Sequence, residues 1–171
     1  MKIYLKYGLI SGLILSGWIT IGYLFHWYKT GFLLSWTIAG LAIQALLVFA
    51  AIREERARIY NGEIPYIRAL GTGVFMSIIA GIIYAAGNFI LFTLWDYSDL
   101  QQFVLEQIKN QLPADKQAAA EQEAIKNFSP SFQALSTLLQ TVIFGLVLSL
   151  IFAMFLRKKD TEKIQEPLNN K

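Results

Sequence analysis

Charged residues leave four long gaps along this chain, and each gap is close to or above the ~20 residues a helix needs to cross a hydrocarbon layer of about 30 Å. Residues 7–25, 31–52, 69–95 and 132–156 contain no Asp, Glu, Lys or Arg. A helix of a soluble bundle carries charge on its outer face every turn or so, and these runs carry none, so they predict helices surrounded by lipid. Lipid offers no partner to an open backbone, which excludes lone strands of this length. The pattern predicts an all-α membrane protein, residues 1–171 forming a single membrane domain of four transmembrane helices.

A different pattern fills residues 96–130, which hold six acids and three lysines. Leu100, Val104, Ile108 and Leu112 recur every fourth residue, behind a Ser98/Gln101 pair spaced as a capping box. Pro113 interrupts that helix and opens a second one, "ADKQAAAEQEAIKNF", with Ala120, Ala124 and Phe128 along one side. Ser129, ahead of Pro130, is placed to cap the fourth membrane helix. A short amphipathic helical hairpin between helices 3 and 4 is expected, lying on the outer side as a cap. It is too small to hold a core of its own.

Composition agrees with the pattern. The chain of 171 residues is 55% hydrophobic and 16% charged, against roughly 25% charged in soluble domains. Cysteine is absent, which removes disulfides, thiolate metal sites and cysteine nucleophiles from consideration. Lys2 and Lys6 ahead of an apolar run resemble a secretory signal, but the run ends in "YLFHWYK" without a small-residue cleavage pattern, so it is read as a retained helix.

Charge sets the orientation. Lys2, Lys6, Arg53, Arg56, Arg58, Arg68, Arg157, Lys158, Lys159, Lys163 and Lys171 fall on one side of the predicted membrane, and Lys29, Lys109, Lys116 and Lys126 on the other. The richer side faces the cytoplasm by the positive-inside rule, which puts both termini, the 157–171 tail and the 53–68 loop there. Trp27, Tyr28, Trp36, Trp95 and Tyr97 then mark the outer water boundary, and Tyr4, Tyr7, Tyr60 and Tyr66 the inner one. In the loop, "REERARIY" continues the second helix past the bilayer, with Glu54 and Arg58 in favourable i,i+4 order. Asn61 and Gly62 stop it, and Pro65 suits the first turn of the next helix. Arg53, Arg56 and Arg58 are expected at anionic headgroups. Three glutamates within the stretch argue against a nucleic-acid patch.

Candidate chemistry inside the spans is limited to small and amide side chains. Gly8, Gly12 and Ser16, then Gly73, Ser77, Gly81 and Ala85, then Gly145, Ser149 and Ala153 form stripes at every fourth position. Such stripes let helix backbones approach closely; packing within the chain is the plain reading, and a homo-oligomer or membrane partner docked on a leftover stripe is the sharper one. Three amides, Gln44, Asn88 and Gln140, lie within spans, the last two at similar depth in the outer half. Asn88, Gln133, Thr137 and Gln140 therefore suggest a polar seam: either interhelical hydrogen bonds or the lining of a path for a polar solute. No acid, base or histidine lies within a span, and ion or proton paths generally use one. His26 stands alone among aromatic residues and predicts no metal site. Gly71-Thr72-Gly73 lacks the third glycine of a dinucleotide loop, and no serine has an activating partner. No catalytic, cofactor-binding or metal-binding residue is predicted.

Three stretches carry a family likeness: "MKIYLKYGLISGLIL", "YNGEIPYIRALGTGVFMSIIAGIIYA" and "AIKNFSPSFQALSTLLQTVIFGLVLSLIFAMFLRKK". Together they resemble a bacterial membrane family, domain-of-unknown-function family 4199, found mainly in Bacteroidetes; Pro65 departs from its pattern. The resemblance implies a multi-pass inner-membrane protein and supplies no site residues. The reading is a non-enzymatic protein with a structural, assembly or partner-binding role, in contact with membrane lipids. The alternative is an oligomeric channel or transporter for a small polar solute, lined by the outer seam.

Overall fold

A computed structural model describes residues 2–29 and 33–156; the predicted tail, 157–171, lies outside the described residues. Among the described residues six α-helices follow one another: α1 (Ile3–Leu24), α2 (Leu33–Arg58), α3 (Tyr66–Leu94), α4 (Ser98–Gln111), α5 (Ala114–Asn127) and α6 (Pro130–Leu156). Helices α1, α2, α3 and α6 are the four long and apolar enough to cross a membrane. The molecule is an all-α membrane protein, with the α4–α5 hairpin between its third and fourth spanning helices.

Helix ends follow local chemistry. α2 runs on to Arg58, six residues past the predicted end of its apolar span, and the chain turns where Asn61 (φ 49°) and Gly62 (φ 95°) enter the left-handed region. Arg56 closes that turn: its Nε donates to the Gly62 carbonyl at 2.5 Å, and the Gly62 N–H returns a 2.9 Å bond to the Arg56 carbonyl. Pro65 takes the N-cap position of α3, one residue ahead of the first turn that the sequence suggests. Pro130 is the first residue of α6, and Ser129 Oγ accepts a 3.3 Å bond from the Phe132 N–H, as a capping serine does.

The Ser98/Gln101 capping box does not form. Ser98 already lies in the first turn of α4, and the Asp96 carboxylate accepts its backbone N–H at 2.9 Å. A charged acceptor two residues ahead outcompetes a serine hydroxyl for an unpaired amide at the positive end of a helix. That bond, with one from the Ser98 hydroxyl, holds the Asp96 carboxyl below its usual value.

α3 is the centre of the bundle, packed against α6 on one side and α1 on the other, with α2 touching all three. Small residues make these approaches possible. On α1, a Cβ added at Gly8 falls 2.8 Å from the Ile79 Cβ, and one at Gly12 falls 2.6 Å from the Ile83 Cβ. Between α3 and α6 the stripes mesh reciprocally: Gly73 faces Ser149, and Gly145 faces Ser77. Each serine hides its hydroxyl by donating to the glycine one turn back in its own helix, Ser77 to the Gly73 carbonyl at 2.9 Å and Ser149 to the Gly145 carbonyl at 2.5 Å. All three stripes are thus covered, at least in part, by contacts within the chain.

A buried cluster of Val48, Ala51, Ile52, Ile64, Ala69, Met76 and Ala153 closes the bundle near the α2–α3 loop. At the opposite end, aromatic rings do the closing. Trp27 lies edge-on to Trp18 (5.7 Å between centroids) and to Trp36 (6.5 Å), while Tyr23 meets Phe92 at 5.5 Å. The hairpin stands on that end by its base, where Tyr97 stacks on Phe128 at 6.0 Å and Lys29 pairs with Asp99 at 3.0 Å. Its predicted apolar positions, Leu100, Val104, Ile108 and Leu112 with Ala120 and Ala124, are all half-buried, and neither helix contains a fully buried residue.

Candidate functional site

Polar groups concentrate in two places, one within the bundle and one at the end carrying the N-terminus. Inside, α2 and α3 each send one amide to α6. Gln44 is 4% exposed and its Nε2 donates to the Thr141 carbonyl at 2.8 Å; Asn88 is 1% exposed and its Nδ2 donates to Thr137 Oγ1 at 2.6 Å. Thr141 Oγ1 donates in turn to the Thr137 carbonyl at 2.7 Å. Two threonines one turn apart therefore receive an amide from each neighbouring helix. Asn88 Oδ1 is buried without a partner.

Of the four residues of the expected seam, the structure joins Asn88 and Thr137. Gln133 instead donates to the Asn127 carbonyl at 2.9 Å, tying the base of the hairpin to α6. Gln140 is exposed, bonded to Ser136 of its own helix at 3.3 Å, and borders a cavity of about 280 Å³ with Gln44, Tyr84, Thr141 and Trp18. The four do not line one continuous surface. At about 100° per residue, Gln140 lies roughly 60° around the helix from Thr137, enough to carry it off the buried strip. That strip is Thr137, Thr141, Gly145, Ser149 and Ala153, every fourth residue. Thr141 and Gln44, outside those four, are what the structure adds; the small-residue stripe, which extends two turns outward through these threonines, was the signal for Thr141, and nothing local in the sequence aimed Gln44 at it.

At the N-terminal end, Glu54 gathers three donors from two helices. Its carboxylate accepts from Tyr7 Oη at 2.6 Å and Lys6 Nζ at 3.3 Å, both on α1, and pairs with Arg58 Nε at 3.2 Å. The Arg58 pairing is the i,i+4 contact expected from sequence; the two α1 partners, 47 and 48 residues away, are not visible in a local pattern. Among the arginines expected at headgroups, Arg53 is exposed, the Arg58 side chain is 72% exposed, and Arg56 is turned onto its own loop. A carboxylate fixed by a phenol, an ammonium and a guanidinium locks the ends of α1 and α2 together. Within the bundle, amides and hydroxyls that bond one another hold the helices in position.

Fold and site together define a multi-pass helical membrane protein whose interior polar groups tie its helices to each other. The family model described as protein of unknown function (DUF4199) matches residues 6–158, and the chain belongs to that family. No curated protein and no solved structure matches it.

Proposed function

We propose that the protein is a non-enzymatic component of a bacterial inner membrane that works by binding a partner or a lipid, as a bundle closed on itself, with its N-terminal end in the cytoplasm. The observation that carries this reading is the reciprocal α3–α6 seam, in which Gly73, Ser77, Gly145 and Ser149 cover one another and leave no stripe on that face for a second copy. The bonding of Gln44 and Asn88 onto α6 supports it, since both amides act between helices. The excess of lysine and arginine at the N-terminal end supports the orientation, with the α4–α5 hairpin outside. Light scattering in mild detergent, with bound lipid and detergent counted, tests the closed bundle: the mass of one chain is expected, and a stable oligomer returns the reading to a subunit-built pore.

A second reading has one observation in its favour. The cavity of about 280 Å³ bordered by Gln44, Gln140 and Thr141 offers polar groups at membrane depth, and a transporter for a small polar solute would use it.

A further inference from the structure

A second carboxylate at the N-terminal end contrasts with Glu54. Glu55, the next residue, faces a cavity of about 690 Å³ between the starts of α1 and α3 and the end of α2. Its one partner among the described residues is the Thr72 hydroxyl, which also lies 2.9 Å from the Arg68 carbonyl. A hydroxyl has one proton to share between those two acceptors, so the carboxylate retains lone pairs directed at the cavity. Two cations stand at the rim, Lys2 and Arg68, both exposed and neither ion-paired among the described residues.

Depth orders these groups. Lys2 precedes α1 and Arg68 sits in the first turn of α3, so both lie at headgroup level; Thr72 lies one turn further in, about 6 Å deeper, opposite Glu55. Beyond them the wall is apolar and open sideways. Phe75 is 57% exposed, and a Cβ added at Gly71 would meet nothing within 4 Å. From water inward the cavity thus presents two cations, then the Glu55 carboxylate with the Thr72 hydroxyl donating to it, then a bare apolar lane.

We propose that this cavity binds a single-chain phospholipid: phosphate between Lys2 and Arg68, a free glycerol hydroxyl donating to Glu55, and the acyl chain along Gly71 and Phe75. Charge complementarity selects the phosphate, and the lateral opening selects a lipid over a free anion. The carboxylate selects the single chain. A diacyl lipid has ester oxygens at that depth, which are acceptors only and are repelled by Glu55, whereas a lysolipid has a hydroxyl donor there. This deepens the reading of a protein that works by binding and adds its ligand class.

Native mass spectrometry of the purified full chain in mild detergent tests it with three probes: oleoyl lysophosphatidic acid, dioleoyl phosphatidic acid and monoolein. Lysophosphatidic acid is expected to bind best. Glu55→Leu and, as a near-isosteric second variant, Thr72→Val should each weaken it about tenfold, the effect of losing one hydrogen bond to a charged acceptor or its orienting partner, without weakening the diacyl lipid. Lys2→Ala/Arg68→Ala should weaken both phosphate lipids and leave monoolein unchanged. Arg53→Ala, outside the cavity, should alter none. Equal binding of the mono- and diacyl lipids, or lysolipid binding indifferent to both Glu55→Leu and Thr72→Val, overturns the proposal. Either result leaves the single-chain mass that tests the closed bundle unaffected, so the two readings fail separately. Conversion of a probe to product, seen as a mass change, would overturn the non-enzymatic reading instead.

Discussion

Gly73→Ala is a small change with a large expected cost. A methyl group at this position falls 2.8 Å from the Ser149 Cβ and onto the Ser149 hydroxyl, with Val48 Cγ1 at 3.2 Å. Ser149 belongs to α6, which the Asn88–Thr137 and Gln44–Thr141 bonds hold in register, so that helix cannot slide away freely. Overpacking of this kind costs about 1–3 kcal/mol. Gly71 is the control, two residues away on the same helix with nothing within 4 Å of an added Cβ; there alanine should be neutral or stabilising by up to ~1 kcal/mol, because glycine is a poor helix former. Unfolding by dodecyl sulfate in dodecyl maltoside micelles, followed by the emission of the Trp18, Trp27 and Trp36 cluster, measures both. The decisive variant is Gly73→Ala/Ser149→Gly, which moves the side-chain volume from α6 to α3 without adding to it. It should recover at least ~1 kcal/mol relative to the sum of the single changes. Equal stability of Gly73→Ala and Gly71→Ala, or absence of that coupling, refutes the interlocked seam.

Removing Asn88 as Asn88→Ala should cost about 1 kcal/mol, an interhelical bond of ~0.6 kcal/mol plus a small cavity, whereas Gln140→Leu should stay within about 0.5 kcal/mol because Gln140 is exposed; the same micelle titration reads both. Replacing Glu54 by Ala should lower the unfolding midpoint more than Arg58→Ala does, since Glu54 serves Lys6, Tyr7 and Arg58 at once. The Asp96 carboxyl is depressed from 3.8 by its bond to Ser98, so its contribution to the start of α4 is fully present above that value and is lost as pH falls through the lower folded one. The Ser98 amide resonance should therefore hold its position from pH 7 to pH 5 and move at more acidic pH, and Asp96→Ala should abolish the movement. Orientation is open to a clean assay because the chain has no cysteine: a single cysteine at Glu63 should resist a membrane-impermeant maleimide in intact spheroplasts, one at Ala118 should react, and Arg53, Arg56 and Arg58 changed together to Gln should weaken that asymmetry.

Much of the fold was legible because a bilayer imposes simple conditions on sequence. Uncharged runs gave the spanning helices, and the fourfold spacing of Leu100 to Leu112 gave the apolar face of the hairpin. Ends were less legible: Asp96 displaced Ser98 as the capping group, and a charged acceptor two residues ahead is easily overlooked beside a standard box. Long-range pairings were the least visible. Nothing local to Glu54 announces Lys6 and Tyr7, since that contact depends on how α1 and α2 pack. The seam was half seen for a related reason. Depth along a helix can be counted from its span, which brought Asn88 to the level of α6, but rotation about the axis decides which side chain is buried, and a 60° difference separates Thr137 from Gln140. Small residues were the better guide to rotation, because a helix turns its smallest side chains toward its nearest neighbour.

Solute flux is the most direct test of a bundle closed on itself. Protein reconstituted into liposomes loaded with small polar solutes of graded size, such as urea, glycerol and glucose, should release none faster than protein-free liposomes, and Gln44→Leu and Asn88→Leu should change nothing. Release that is selective for one solute and abolished by either substitution would contradict the account and make the amides on α6 the lining of a path.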